Sequence, residues 1–408
     1  TKSRLESFIT NSKKEEKREL FKKCRAQLTK EQLIDESKLS FNVNNKSELI
    51  ERNIFQNLIK MSLAEQSTIT DSLSEKNIFY IITNISAYHN VFSMINKNEY
   101  LLIARFLDQF LGKDYLLEVK QLYKSAMVNI LIDYQCNNQE SKDFCLILFV
   151  EKLTYKLQNT GNEQETEFLL ELLAYSLIRC NKIEDNKLIE ILILCEKSVS
   201  MSLETMKFSI IISSFLLNKQ INIDRISLIP NVYSKSITLI GNKNRIFKED
   251  PNLQKAVLQL VSHSFYLSDD NETNRSVILK NIDLTFLTEM LSQDEKNTEV
   301  RISLIQLFIN LICCFDNLDK YPEWRSNLSS ITESLMLLSL DGTQTQRTEA
   351  MICFNYLIQN ISTTMLISIL KNKTDEFMTF LKVALSTHYV GFIEQFLDFM
   401  LNLMKMNI

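Results

Sequence analysis

The chain has 408 residues, of which 45% are hydrophobic, and it contains only 5 Gly and 3 Pro. So few turn-forming residues argue against an all-β protein and against the Gly-rich turns of nucleotide-binding folds. The net charge of -4 is unevenly divided, because residues 1–30 hold ten Lys or Arg against four Glu, a balance of +6 that leaves -10 for the remainder. A basic arm ahead of an acidic body predicts either docking within the molecule or capture of an acidic partner.

The first predicted region, residues 1–40, differs in composition from the rest of the chain. Residues 13–33 combine strong helix formers with many charges, and their apolar side chains are too sparse to build a core. Such a segment is either a solvated helix or a helix that orders on a partner. Residues 41–408 form the second region, which opens with a polar linker and an incomplete repeat over residues 41–71.

From Ser74 onward, long apolar runs at helical spacing alternate with short polar breaks. The predicted helices include residues 75–88, 100–111, 143–157, 169–182, 206–219 and 256–268. Residues 241–251 have the most loop-like composition of the body, although Pro251 lies where a helix could begin. Residues 316–324 and 341–347 are predicted to join helices, which would leave Trp324 in a loop.

An Asn recurs inside apolar helical runs of the body, at Asn84, Asn129, Asn310 and Asn355. The separations are 45, 181 and 45 residues, and predicted helices lie where the missing copies belong, with Ser176 and Ser264 in place of Asn. A step of about 40 to 47 residues is typical of HEAT and armadillo units, which stack two or three helices per repeat. The sequence therefore predicts an all-α protein, a right-handed armadillo/HEAT-type α-solenoid of about seven to eight repeats.

Three of these runs resemble the third helix of armadillo repeats in the importin-α (karyopherin-α) family, which carries a Trp-x-x-x-Asn array along a concave groove. The matching segments are residues 80–86 (YIITNIS), 125–130 (SAMVNI) and 349–356 (EAMICFNY). The basic arm is similar too, because Arg4, Leu5 and Phe8 match the start of the family's importin-β-binding segment, and residues 18–25 (RELFKKCR) match its basic run.

The resemblance implies a non-enzymatic adaptor that binds an extended segment of a partner protein, with nuclear import as its expected process, in the cytoplasm and nucleus. The implied peptide-groove residues are Tyr80, Asn84, Asn129, Asp133, Asn310 and Asn355. Asp133 would receive a Lys of the cargo signal. The implied importin-β contacts are Arg4, Lys22, Lys23 and Arg25 in the arm.

The family's Trp positions are occupied here by other residues, namely Tyr80, Ser125, Leu172, Gln306 and Met351. A Trp face cradles the aliphatic stem of Lys or Arg and attracts its charge, so the sequence-selective half of recognition is mostly missing here. The alternative function is a structural scaffold subunit of a larger assembly that no longer recognises basic signals. The Asn residues are also open to two interpretations, a ladder that binds peptide backbone or bridges between neighbouring helices.

Other kinds of site find little support in the sequence. The eight Cys lack metal-type spacing and mostly lie in apolar helices, which predicts buried thiols in a reducing compartment. No catalytic, cofactor or metal motif stands out around His89, His263 or His388. The acidic body argues against a nucleic-acid partner, and no apolar run is long enough to predict membrane insertion.

Overall fold

The computed structural model describes residues 139–180, 183–219, 227–241, 245–267, 281–292 and 297–406. Within these residues the protein is all-helical and contains no strand, which confirms the predicted all-α class for this part of the chain. The N-terminal arm and the predicted helices before residue 139 lie outside the described residues. The chain divides into two compact units, residues 1–190 and 191–408.

The described residues include fourteen α-helices and the 3₁₀ turn Leu318–Lys320. The α-helices are α1 Gln139–Asn159, α2 Glu163–Arg179, α3 Asp185–Ser198, α4 Leu203–Lys219, α5 Pro230–Gly241, α6 Arg245–Glu249, α7 Pro251–Leu267, α8 Leu284–Ser292, α9 Thr298–Cys313, α10 Pro322–Asp341, α11 Gln344–Gln359, α12 Thr363–Asn372, α13 Thr374–Leu385 and α14 Val390–Lys405. The predicted helices over residues 143–157, 206–219 and 256–268 correspond to α1, α4 and α7.

In the first unit, α1 packs against α2 across a short connection. Asn162 ends that connection as the N-cap of α2, because its side-chain oxygen accepts hydrogen bonds from the backbone N–H groups of Gln164 and Glu165. Leu172 is fully buried on α2, and the Ser176 hydroxyl one turn later donates to the Leu172 carbonyl oxygen at 2.7 Å. Both residues therefore lie in the core and not on an open surface.

In the second unit, helices that are not adjacent in sequence pack side by side in two rows. The first row contains α4, α7, α9, α11 and α14, and each of these helices contacts the next. In the second row, α8 contacts α10 and α10 contacts α13. The helices of the first row begin at residues 203, 251, 298, 344 and 390, so the steps are 48, 47, 46 and 46 residues. These steps are slightly longer than the 45 residues that separate the paired Asn residues in the sequence.

The core of the second unit lies between the two rows. Rings from opposite rows meet there, with centroids 6.5 Å apart for Phe308 and Trp324 and 6.0 Å apart for Phe354 and Phe380. All four side chains are fully buried. Gly241 at the end of α5 makes another close contact, since a Cβ there would lie 2.7 Å from the carbonyl oxygen of Asn281.

Two of the predicted connections are wrong. Trp324 does not lie in a loop, because α10 begins at Pro322, where a fixed φ and a missing N–H suit the first helical position. The loop-like stretch 241–251 contains the short helix α6. The prediction that a helix begins at Pro251 is confirmed, and Asp250 caps that helix by accepting from the N–H groups of Asn252 and Leu253.

A carboxylate in one connection caps a helix that begins about one repeat later. Asp319, in the 3₁₀ turn after α9, accepts hydrogen bonds from the backbone N–H and the hydroxyl of Ser362, which is the N-cap of α12. Beside it the Leu318 N–H donates to the Asn360 carbonyl oxygen at 2.7 Å. These bonds join the end of α9 to the connection between α11 and α12.

We expect Asp319→Ala to lower the free energy of unfolding by about 1–2 kcal/mol. The substitution removes the acceptor of the Ser362 N–H, and it removes the negative charge at the N-terminus of α12. Urea unfolding followed by far-UV circular dichroism would measure the change. Asp316→Ala is the matched control, since Asp316 is exposed in the same connection and its removal should change stability by less than about 0.5 kcal/mol. Equal losses in both variants would contradict the capping role.

Candidate functional site

Polar side chains recur along the first row where neighbouring helices meet. We call this set the amide seam, and its members are Asn218 on α4, Gln259 and His263 on α7, Asn310 on α9, and Asn355 on α11. Two of them, Asn310 and Asn355, are predicted groove residues. The other four predicted groove residues, Tyr80, Asn84, Asn129 and Asp133, lie outside the described residues.

Between α4 and α7 the seam is a small hydrogen-bond network. The Asn218 Nδ2 donates to Gln259 Oε1 at 2.7 Å, and the Ser214 hydroxyl donates to the same oxygen at 3.1 Å. The Asn218 Oδ1 accepts from Nε2 of His263, an arrangement that requires the imidazole tautomer with its proton on Nε2. Both polar atoms of the Asn218 amide are thus engaged by residues 41 and 45 positions later in the chain.

The predicted groove residue Asn310 bridges α9 to α7. Its Nδ2 donates to the Ser262 hydroxyl at 2.5 Å and lies 3.3 Å from the Ser262 carbonyl oxygen. Asn310 remains partly exposed, and Gln306 one turn earlier is exposed on the same side of α9. On this helix, the pair that would correspond to the family's Trp and Asn therefore reaches the surface.

Asn355 behaves differently from Asn310. Its side chain is only 7% exposed, and its Nδ2 donates to the Gln395 carbonyl oxygen of α14 at 2.9 Å, while its Oδ1 is buried without a hydrogen-bond partner. Met351, which takes the Trp position one turn earlier, is fully buried. The Met351–Asn355 pair thus faces neighbouring helices and offers no flat surface to a ligand.

Ion pairs connect successive helices of the first row. Lys207 of α4 lies 2.5 Å from Asp250, the N-cap residue of α7, and Lys255 of α7 lies 2.6 Å from Glu299 of α9. Burial alone would raise the pKa of Asp250, but hydrogen bonds from Lys207 and from two backbone N–H groups outweigh it, so the pKa is lower than usual. These carboxylates are already paired with lysines of the same chain.

Glu349 is the acidic residue on the predicted groove-lining helix. It is partly buried on α11, and burial raises the pKa of its carboxyl above the usual value because desolvation disfavours the charged form. A carboxylate in such surroundings carries its negative charge less readily than an exposed one.

His263 in the amide seam is expected to make the folding stability of the protein decrease at acidic pH. Burial lowers the pKa of His263 below its usual value of 6.5. The unfolded chain therefore takes up a proton on this residue at a higher pH than the folded chain does, so its contribution to stability is complete above about pH 6.5 and is lost as the pH falls. The loss has an upper limit of about 1.4 kcal/mol per pH unit, the value for one proton.

Unfolding in urea at pH 7.5 and at pH 5 would measure this effect. We expect His263→Gln, which removes the titrating group, to show a smaller loss of stability between the two pH values than the unaltered chain. His388→Gln is the control, because His388 is exposed between α13 and α14. An unchanged pH dependence in the His263 variant would contradict the prediction.

Two of the thiols on the described helices, Cys195 and Cys353, are buried and unreactive. Burial raises the pKa of Cys195 to about 12, and burial also raises the pKa of Cys353, so neither forms a thiolate at neutral pH. Among the described cysteines, Cys180 is buried as well, Cys314 is partly exposed and Cys313 is exposed. Among the residues that the structure describes, no group of three or more His, Cys, Asp or Glu could hold a metal ion.

Sequence reasoning found Asn310 and Asn355 but missed Asn218, Gln259 and His263. The signal was present in the spacing, since a step of 45 from Asn218 leads to His263 and a step of 45 from Ser214 leads to Gln259. A recurring Asn does not reveal these residues, because the partners of Asn218 are a Gln and a His.

The described residues define an all-helical protein whose helices pack in contact with one another. None of the helices in this part of the chain is both long enough and apolar enough to cross a bilayer. Comparison of the chain with protein-family models and with curated proteins finds no match. The importin-α resemblance therefore depends on the sequence motifs alone.

Proposed function

We propose that the chain is a non-enzymatic helical-repeat protein that serves as a scaffold subunit in a larger protein assembly and does not bind basic nuclear-localisation signals. The regular steps of 46 to 48 residues between first-row helices support a repeat array of the armadillo or HEAT type. We propose that the array is right-handed and has about seven to eight repeats. In such arrays each repeat packs on its neighbours, and the extended surface binds partner proteins.

The observation that carries this proposal is the hydrogen bonding of the amide seam. An Asn that binds an extended peptide must offer its amide to the ligand, yet Asn310 and Asn355 each donate to the neighbouring helix. The 7% exposure of Asn355 also leaves little of its surface for a ligand. These contacts favour bridging between helices over peptide binding for both residues.

The second candidate function is an import-type adaptor that binds an extended cargo segment and importin-β. The observation that favours it is the charge distribution, with +6 in residues 1–30 and -10 in the remainder. In this proposal Arg4, Lys22, Lys23 and Arg25 bind importin-β, and the arm docks on the acidic body when importin-β is absent. Cargo would then bind near Asp133, in the part of the chain outside the described residues.

Fluorescence polarisation with a labelled Lys/Arg-rich peptide separates the two functions. The scaffold predicts no saturable binding up to about 100 μM, whereas the adaptor predicts a dissociation constant near 1 μM or below. The matched control is the same peptide with Ala in place of its basic residues. Micromolar binding that is abolished by Asp133→Lys would overturn the scaffold proposal.

A second measurement tests the arm separately. If residues 1–40 bind importin-β, immobilised importin-β should capture the full chain and fail to capture a chain that lacks these residues. A variant in which Glu replaces all four of Arg4, Lys22, Lys23 and Arg25 should also fail to be captured, because the expected contacts are between charged groups. Capture that persists after deletion of the arm would exclude this role.

A further inference from the structure

Helix α14 carries two apolar faces. The face that packs into the core consists of Phe392, Phe396, Phe399 and Leu403. The opposite side carries Val390, Leu397, Leu401 and Met404, which are 53% to 70% exposed. Their spacings of 7, 4 and 3 residues place these four side chains along one side of the helix. We call them the α14 stripe.

The stripe is unusual for a solvent-facing helix surface. A helix that packs by one face normally presents polar residues on its other face. The buried face of α14 already packs against α11, so the stripe is additional apolar surface. Contiguous exposed apolar side chains of this kind mark sites where another protein surface packs.

The charges beside the stripe indicate which occupant fits. Glu394 and Asp398 lie in the second and third turns of α14, and Lys405 is its last residue, so the acidic charges and the basic charge are separated along the helix. Glu394 and Lys405 lie at equal distances from a point between residues 399 and 400. A second α14 that runs antiparallel about a two-fold axis through this point therefore brings each Glu394 opposite a Lys405.

The same arrangement also matches the apolar side chains. With 1.5 Å of rise per residue, Leu397 of one helix falls between the heights of Leu401 and Met404 of the other, which allows the stripes to interdigitate. A parallel arrangement would place Glu394 and Asp398 beside their own copies, and like charges repel. The dipoles of the two helices attract each other in the antiparallel pair and repel each other in a parallel pair.

We propose that the α14 stripe is a self-association surface, occupied by the α14 helix of a second copy of this chain in antiparallel orientation. The inference is independent of the proposed function, because it depends only on the exposed stripe and the charges beside it. Sedimentation velocity of the full chain at about 1 to 100 μM should show a dimer of twice 47.7 kDa that dissociates on dilution. A chain that remains monomeric at the highest concentration would overturn the proposal.

Substitutions in the stripe test its position. Leu397→Asp and Leu401→Asp should each raise the dimer dissociation constant at least about tenfold, because a carboxylate would be buried against apolar side chains. Both residues are more than half exposed in the monomer, so the variants should keep the far-UV circular dichroism of the parent. Leu337→Asp, at a residue 51% exposed on α10, is the control and should leave the dimer unchanged.

A charge exchange tests the antiparallel geometry. Glu394→Lys alone and Lys405→Glu alone should each weaken the dimer, since each places two like charges opposite one another, and the double variant should restore it. If the dimer forms but the stripe variants leave it intact, another surface associates and the proposal is wrong. If the stripe variants abolish the dimer but the charge exchange fails to rescue it, the antiparallel arrangement is wrong.

Discussion

Replacing Trp324 with alanine should lower the free energy of unfolding by about 3–5 kcal/mol, the range for a large buried aromatic side chain. Trp324 is fully buried, and its ring centroid lies 6.5 Å from that of Phe308 and 6.3 Å from that of Phe315. Its removal leaves a cavity between the two rows that neighbouring helices can fill only in part. Because the chain has a single Trp, far-UV circular dichroism in urea is the suitable measurement.

Two further variants locate the origin of the loss. Leu337→Ala on the same helix should change stability by less than about 0.5 kcal/mol, because Leu337 is exposed. Trp324→Phe should lose only about 1–2 kcal/mol, since it keeps a ring and removes the Nε1 donor, which is buried without a hydrogen-bond partner. A loss below about 1 kcal/mol for Trp324→Ala would contradict a core between the rows.

The helices themselves were predictable where the apolar spacing is long and uninterrupted. Residues 206–219 and 256–268 fall within or overlap α4 and α7, because one apolar face per helix suffices to reveal a helical period. The position of Trp324 was not predictable from the polar residues around it. Its burial depends on Phe308 and Phe315, which precede it in the chain and meet it only after the rows have packed.

The candidate site also depends on tertiary packing that the local sequence does not predict. The step of 45 residues identified Asn310 and Asn355, which do lie on neighbouring helices of one row. Whether such an Asn faces a groove or the next helix depends on how far each helix is rotated about its own axis. That rotation buries Met351 but exposes Gln306, although both residues occupy the same place in the motif. Tertiary packing determines this rotation, so the rotation cannot be predicted from the motif alone.

The largest effect in the C-terminal repeats is expected at Phe380 on α13. This fully buried ring packs against Phe354, Phe377, Phe396 and Phe399, with centroids 5.7 to 6.1 Å away. Phe380→Ala should lower the free energy of unfolding by about 3–5 kcal/mol, because the substitution removes ring contacts to α11 and α14 together. The contacts with Phe354, Phe396 and Phe399 are edge-to-face, and contacts of this kind each add roughly 0.5–1.5 kcal/mol beyond the area that they bury.

The loss should also be local. In a repeat array each unit contacts only its neighbours, so a defect in α13 should destabilise α11, α13 and α14 more than α4 and α7. Amide hydrogen exchange of the Phe380→Ala variant should therefore show faster exchange in residues 344–405 than the unaltered chain and little change in residues 203–267. Met378→Ala, at an exposed position on the same helix, should leave both regions unchanged. Equal acceleration in both regions would show that the second unit unfolds as one cooperative block and would contradict nearest-neighbour stabilisation.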